Sequence, residues 1–529
     1  MPDRAVAIDR GRFIGVVGAG TMGVGIAEVA AAAGHRVMLL DVDDDRVAAG
    51  LGRLVASLDR RVARGRLDAT VAGGIHDRVT AAGSWACLAG AGLVVEAVVE
   101  SMPEKAELFA RLEELVGSDT VLATNTSSLS VDAIAAGLRR PGRLVGLHFF
   151  NPAPAMRLVE VVSGLASDPR VAEIAVATMT AWGKTPVRVR DAPGFIVNRV
   201  ARPFYGEAQR LLAEGAADAA TIDGLARQAG GFPMGPLELT DLVGQDVNLA
   251  VTESVWRATA DDPRYAPSPV QRALVASGRL GRKTGRGVYE DASAPGSGPR
   301  PLVAATYPPR PAPARLVAHG SVDELAVLVA RAPDVPLVPG TPVTVGAVAG
   351  GDPAPRRGGP GWVELPCGAA VLRTDGALAT DHAQRLGRPV VLVDRCLDDA
   401  TTPRLAVAAS DGAPVAALDE AAGWLQSAQI AVSVVDDVAG LVLARTVAML
   451  VNEAVDLVSR GAASSEDVET AMMLGTGYPI GPLEWGDRWG AGTVVTLLDQ
   501  VGAVYRDGRH RACPRLRRAA LSGARLGAR

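Results

Sequence analysis

RFIGVVGAGTMG, residues 12–23, is an apolar, β-rich run that ends in glycines spaced G-x-G-x-x-G. A run of helix formers carries on to Ala33, and RVMLLD at 36–41 reads as a second strand. A glycine turn between a strand and a helix has a definite use. Gly18 permits the tight turn, Gly20 lets the backbone approach a pyrophosphate, and Gly23 lets helix and strand pack closely, while amides at the helix start bind phosphate. Asp41 ends the second strand 23 residues after Gly18. A carboxylate there accepts hydrogen bonds from an adenosine ribose and repels a 2′-phosphate. The βαβ unit therefore predicts a dinucleotide site built from Gly18, Gly20, Thr21, Met22, Gly23 and Asp41, with NAD favoured over NADP. The plain alternative, a turn that only satisfies backbone geometry, leaves the placing of Asp41 unexplained.

Outward from this unit, an amphipathic, arginine-studded helix is expected from about Asp43 to Arg66. The apolar strands LVVEAV (93–98), VLATNT (121–126), RLVGLHFF (143–150), RLVEVV (157–162) and PVRVR (186–190) follow, with helical segments between several of them. Near-continuous apolar strands joined by helices mean a sheet buried on both faces. The expected fold class is α/β, with an N-terminal Rossmann domain over 1–190 and an all-α helical domain over 191–290. A Pro/Ala/Gly-rich linker follows at 291–315, DASAPGSGPRPLVAATYPPRPAPAR. Residues 316–430 carry strand candidates LAVLVA, WVELP and PVVLVD but no phosphate loop, which reads as a small, degenerate Rossmann-like α/β domain. Residues 431–529 form a second all-α repeat. DAPGFIVNR at 191–199 returns as DVAGLVLAR from Asp437, and GGFPMGPLELTDLVG returns as TGYPIGPLEWGDRWG, at a constant offset of 246 residues. Gly194 thus pairs with Gly440, Glu207 with Glu453, Pro236 with Pro482 and Asp241 with Asp487, but Asn198 pairs with Ala444. A copy that keeps its glycines and apolar spacing keeps a fold; losing one polar side chain places ligand handling in the first half.

Composition narrows the classes. At 529 residues, 48% apolar and 21% charged, the chain is globular and too long for one core. A net charge of −4 gives no footprint for nucleic acid or an anionic membrane, so an anionic substrate must be met by a local cluster. MPDRAVAIDRGRF has acids among its bases and no apolar core of a signal peptide, and no apolar run approaches the roughly 20 residues of a membrane span, so the expectation is a cytoplasmic protein. Cys87, Cys367, Cys396 and Cys513 lack metal-ligand spacing and are expected to be buried, reduced thiols, with no metal site. Basic residues are almost all arginine; only Lys105, Lys184 and Lys283 are lysine. Where the background has drifted so far, a retained lysine is needed as such.

Four segments then ask for one explanation: TNTSSL (124–129), HFFNP (148–152), RLVEVV (157–162) and PGFIVNR (193–199). They fall at the ends of late strands and at the mouth of the helical domain, where an open α/β sheet presents ligands. In these segments, in this order and spacing, residues 12–290 resemble the 3-hydroxyacyl-CoA dehydrogenase family. The resemblance implies oxidation of the (S)-3-hydroxyl of an acyl-CoA by NAD. His148 would be the general base and Glu160 the acid that fixes its tautomer. Ser127 and Asn198 would polarise the substrate's C3 oxygen and thioester carbonyl, and Asn151 would orient the pocket. By the same resemblance Glu100, Lys105 and Asn125 lie by the nicotinamide and its ribose, and Ser57 and Arg64 contact CoA, although lysine is usual where Arg64 stands. The bland readings are a histidine in a core, a Ser or Asn helix cap, and arginines on a wet helix face.

The whole chain resembles the longer bacterial members of that family, 3-hydroxybutyryl- and 3-hydroxyadipyl-CoA dehydrogenases of fatty-acid or phenylacetate catabolism. Two-domain members dimerise through the helical domain. The expectation here is a homo-oligomer or a second repeat, 431–529, that replaces the dimer partner. Two rival readings stand beside this one: a related hydroxyacid or sugar-acid dehydrogenase that uses no CoA, and a catalytically dead NAD-binding scaffold.

Overall fold

The computed structural model describes residues 6–290, 303–340 and 361–527. The chain divides into two compact units, Met1–Val200 with Leu457–Gly477, and Ala201–Asp456 with Tyr478–Arg529.

The first unit is built on eight strands: β1 (Ile14–Val17), β2 (Val37–Leu40), β3 (Val79–Ala81), β4 (Leu93–Glu96), β5 (Val121–Thr124), β6 (Leu144–Phe149), β7 (Leu158–Ser163) and β8 (Thr185–Arg190). Their order is β3-β2-β1-β4-β5-β6-β7-β8. Every pairing is parallel except β6 with β7. β1, β4, β5 and β6 are buried at every residue, as expected of strands covered on both faces. The strand order turns back at β1 and β4, which opens a crevice at their carboxyl ends. Helix Thr21–Ala32 follows the glycine turn. Helix Asp44–Ala63 starts where the Asp43 carboxylate accepts the Arg46 amide at 2.7 Å, and buries Val47, Gly50, Leu54 and Leu58 at helical spacing.

A piece of the second repeat belongs to this unit. Helix Ser465–Thr476 lies against β8, where Ala463 bridges Val189 and the Arg190 amide donates to the Ala462 carbonyl at 2.8 Å. Gly475 lets it approach closely: an added Cβ would come within 2.7 Å of a Leu158 methyl. This helix shields an edge strand that would otherwise offer open backbone groups.

The second unit combines helices with a mixed seven-stranded sheet. Its strands are β9 (Leu316–His319), β10 (Leu337–Pro339), β11 (Trp362–Glu364), β12 (Ala370–Arg373), β13 (Val390–Val393), β14 (Arg404–Ala409) and β15 (Ala431–Val434), in the order β10-β9-β11-β12-β13-β14-β15. WVELP and PVVLVD thus form strands, but LAVLVA does not. It folds as a short helix, Ala326–Ala330, after a 3₁₀ turn at Asp323–Leu325. Leu325 and Leu328, three apart, are buried while Val327 is exposed, a spacing that an apolar run this short cannot reveal. Residues 291–302 of the expected linker lie outside the described residues. The rest of it is tied down: the Ala305 amide donates to Thr221 Oγ1 at 2.9 Å, the Tyr307 amide to the Val432 carbonyl at 2.7 Å, and Arg310 pairs with Asp419. Cys396 and Cys513 are buried, but Cys367 is only half-buried and Cys87 is exposed, because the turn Trp85–Leu88 that carries it buries only Leu88.

The repeat keeps its backbone geometry. Gly194 and Phe195 have φ of +74° and +50°; Gly440 and Leu441 have +75° and +48°. Each left-handed pair turns the chain into the first helix of its copy.

Candidate active site

His148 and Glu160 are directly opposed across the antiparallel β6–β7 pair, so twelve residues of sequence separation become one cross-strand contact. His148 Nδ1 lies 2.6 Å from Glu160 Oε2, and both side chains are buried. The other carboxylate oxygen, Oε1, accepts the amides of Ile196 at 2.9 Å and Val197 at 3.0 Å. The left-handed turn at Gly194 and Phe195 aims those amides. Glu160 is therefore held on both oxygens by fixed donors. It accepts Nδ1–H and leaves Nε2 as the basic nitrogen of the ring. Phe150 and Phe195 pack against the imidazole, with ring centroids 4.4 and 5.8 Å away.

Asn198 is one turn on, and its amide donates to the Ser127 carbonyl at 3.1 Å. Asn125 Oδ1 accepts the Phe149 amide at 2.9 Å, which ties the end of β5 to the end of β6 beside the histidine. Asn151 is exposed, three residues beyond His148.

The segment after β5 is gathered around one carboxylate. Glu100 Oε1 accepts Thr126 Oγ1 at 2.7 Å, the amides of Ser127 and Ser128 at 2.9 and 3.1 Å, and their hydroxyls at 3.3 and 3.0 Å. Burial would raise its pKa, but Lys105 and these donors hold it below the usual carboxylate range. Lys105 Nζ is 3.3 Å from Glu100 and 2.6 Å from Glu96. Lys105 and Glu96 are fully buried, so the lysine is no wet helix charge. Glu96 also accepts Thr124 Oγ1 and the Val98 amide, each at 2.7 Å. Sequence reasoning passed over Glu96. The signal was present in LVVE, where a charge closes a strand that is otherwise wholly apolar.

At the glycine turn, Gly18 has φ +109°, and an added Cβ at Gly23 would fall 1.7 Å from the Gly18 carbonyl oxygen. An added Cβ at Gly20 would meet nothing within 4 Å. The turn is closed toward its own helix and open outward at Gly20, which suits a pyrophosphate on the helix amides beside Thr21 and Met22. Asp41 organises this turn: one carboxylate oxygen accepts the Ala19 amide at 2.6 Å and the other the Val42 amide at 2.7 Å. Arg53 donates to the Ala19 carbonyl at 2.5 Å. Ser57, on the same helix, donates its hydroxyl to Glu28 at 3.0 Å, and Arg64 caps the helix end. Among the described residues, no cluster of His, Cys, Asp or Glu is arranged to hold a metal ion.

The second unit also holds a carboxylate against the matching helix start, but at the position of the histidine and not of Glu160. Asp394, after β13, accepts the amides of Val442 at 3.1 Å, Leu443 at 2.7 Å and Ala444 at 3.0 Å. Val442 and Leu443 are the repeat counterparts of Ile196 and Val197. Asp394 stands 246 residues after His148, and the counterpart of Glu160 is Ala406; the hydrogen bonds of Asp394 are all to backbone.

The family models of the 3-hydroxyacyl-CoA dehydrogenase NAD-binding domain, residues 13–192, and C-terminal domain, residues 194–291 and again 440–528, match the chain. That of the 3-hydroxybutyryl-CoA dehydrogenase reduced Rossmann-fold domain matches residues 371–438. The chain is 41% identical over 508 residues to a 3-hydroxyadipyl-CoA dehydrogenase of Escherichia coli, covering 96% of this chain and 97% of that one. A crystal structure of 3-hydroxybutyryl-CoA dehydrogenase from Escherichia coli superimposes with a TM-score of 0.82 at 40% identity, covering 97% of this chain and 99% of that one. The human mitochondrial hydroxyacyl-coenzyme A dehydrogenase is 39% identical over 286 residues, 53% of this chain and 91% of its own. By these matches the chain belongs to the 3-hydroxyacyl-CoA dehydrogenase family, with an NAD-binding domain at its N-terminus.

Proposed function

We propose that the protein oxidises (S)-3-hydroxyacyl-CoA to 3-oxoacyl-CoA with NAD, and that the substrate is a short acyl chain of the 3-hydroxybutyryl or 3-hydroxyadipyl kind. The observation that carries the reading is the buried His148–Glu160 pair, whose carboxylate is fixed on its second oxygen by two amides. His148 Nε2 takes the hydroxyl proton, and the Glu160 carboxylate stabilises the imidazolium that forms. The nicotinamide ring, when bound, supplies the hydride acceptor.

Asn198 and Ser127 flank the place where the carbonyl oxygen develops and polarise it. Ser127 leaves its weak 3.3 Å bond to Glu100 to do so. Asn151 orients the pocket beside them. Lys105, Glu100 and Asn125 hold the ribose and nicotinamide end, and Gly18 to Gly23 with Asp41 the adenosine and pyrophosphate end. Ser57 and Arg64 meet the CoA handle. The division into 1–190, 191–290, 316–430 and 431–529 follows from the same reading, and so does a second repeat that stands in for a dimer partner.

Absorbance at 340 nm tests the assignment. NADH with acetoacetyl-CoA is expected to turn over, and gulonate with NAD is not. Kinetics with 3-hydroxybutyryl-, 3-hydroxyhexanoyl- and 3-hydroxyadipyl-CoA fix the acyl preference. A protein that binds NADH yet turns over none of these thioesters is a scaffold, and the proposal fails.

A further inference from the structure

Helix Thr21–Ala32 is otherwise small and apolar, TMGVGIAEVAAA, yet it buries one acid, Glu28. A buried carboxylate needs partners, and both of these come from the neighbouring helix Asp44–Ala63. Ser57 Oγ donates to Oε2 at 3.0 Å, and Arg61 Nη1 donates to Oε1 at 2.5 Å. Lys184 is close enough to act electrostatically on this group, and its Nζ donates to the carbonyls of Ala153 and Met156 at 2.6 and 2.8 Å. Two cations thus face one acid, and the excess positive charge suits an anionic handle.

The consequence lies in the hydroxyl. Serine has one hydrogen to donate, and Ser57 has given it to Glu28. What Ser57 offers outward is lone pairs alone. A phosphate, with no proton at neutral pH, cannot bond to them; an N–H group can. We propose that Glu28 is a positioning residue that fixes Ser57 as a hydrogen-bond acceptor for an N–H group of the CoA handle, leaving the phosphates to Arg61 and its arginine neighbours. The N–H belongs either to the adenine amino group or to the pantoyl-side amide of pantetheine, both of which an N-acetylcysteamine thioester lacks. This inference rests on the CoA-thioester reading above.

Glu28→Gln is the incisive change. Arg61 requires the oxygen of the new amide, so its NH₂ faces Ser57 and donates, and the serine hydroxyl turns its hydrogen outward. The polarity of Ser57 is reversed with almost no change of shape. With NADH, the variant is expected to raise KM for acetoacetyl-CoA roughly five- to tenfold, the scale of one hydrogen bond. Its kcat, its KM for NADH and its KM for acetoacetyl-N-acetylcysteamine stay within about twofold of wild type, because neither the reacting centre nor the cofactor is touched. Ser57→Ala should give a similar rise, and adding it to Glu28→Gln should give none beyond that. Acetoacetyl-pantetheine separates the two sources: a rise with it points to the amide, no rise to the adenine amino group. An unchanged KM for acetoacetyl-CoA in both variants overturns the proposal, and so does an equal loss on all three thioesters. Wild-type protein that fails to reduce acetoacetyl-CoA overturns the CoA reading itself, which is a separate result.

Discussion

His148 carries the chemistry proposed here, and its burial beside Glu160 sets what removing it should do. His148→Ala should bind NADH as wild type does, measured by fluorescence titration, while kcat falls about 10²- to 10⁴-fold. Retention of more than about a tenth of the rate is incompatible with a general base at this position. Asp41, the carboxylate proposed to meet the ribose, holds the amides of Ala19 and Val42. Asp41→Ala should therefore weaken NAD binding and relax discrimination against NADP. An unchanged ratio of the two dissociation constants counts against the ribose assignment. Lys105 neutralises the buried Glu96, so Lys105→Met strands a carboxylate in the core. That should cost about 3–5 kcal/mol of stability, read from urea midpoints. A loss below about 1 kcal/mol would show the site to be wetter than its burial implies.

At the scale of elements, the recurring device is a left-handed turn that points helix-start amides at a carboxylate: Gly194 and Phe195 toward Glu160, Gly440 and Leu441 toward Asp394. The facing strand pair carries His148 and Glu160 in the first copy and Asp394 and Ala406 at the same two positions in the second, so the acid comes from opposite strands. Burial pushes the Asp394 carboxyl up to about 6 in spite of its four backbone donors. An acid that binds its proton more tightly folded than unfolded gives a stability that falls as pH rises from about 4 to about 6. Asp394 should thus make the protein more stable at pH 5 than at pH 7, by about 1 kcal/mol. Asp394→Asn should be less stable at both values and lose that share of the difference. Thermal melts at the two pH values check this, and a pH dependence identical to wild type would contradict it. The strands of the first sheet other than β3 could be read from their apolar runs, because burial leaves little room for polar side chains; β3, VTA at 79–81, buries only Val79 and offers no such run. LAVLVA was misread because six apolar residues fit a buried strand and a buried helical turn equally well.

At the scale of the molecule, the two helical repeats answer each other's charges inside the second unit. Glu207 of the first copy accepts Arg445 Nε at 2.8 Å and faces His510 of the second. Glu453 of the second accepts Arg264 Nη1 at 2.9 Å and the Tyr265 hydroxyl of the first. Glu207 and Glu453 are repeat counterparts, so the exchange is reciprocal, as at a two-fold interface. Burial works against ionised Glu207, yet Arg445 and His510 hold its pKa well below the ordinary value. The ring of Phe232 packs on Tyr478 and Trp485, with centroids 4.9 and 5.5 Å apart. Ending the chain near residue 300 would take Arg445 from Glu207 and Glu453 from Arg264, and bare β8, which Ala463 covers. The truncated protein is expected to aggregate or self-associate in size-exclusion chromatography with light scattering. A well-behaved, active monomer would refute a partner role for the second repeat.

The sequence by itself determined the α/β class, the glycine turn and the repeat, because each rests on local spacing, while the pairing of His148 with Glu160 was legible only through the family resemblance. Only the tertiary structure decided which donors are already taken. It showed Glu96 beneath Lys105, Glu28 behind Ser57, both oxygens of Asp41 occupied, and Leu457–Gly477 folded with the first unit. Those facts depend on side chains brought together from distant parts of the chain. A hydrogen bond consumes a particular proton or lone pair, and no local pattern records where it was spent.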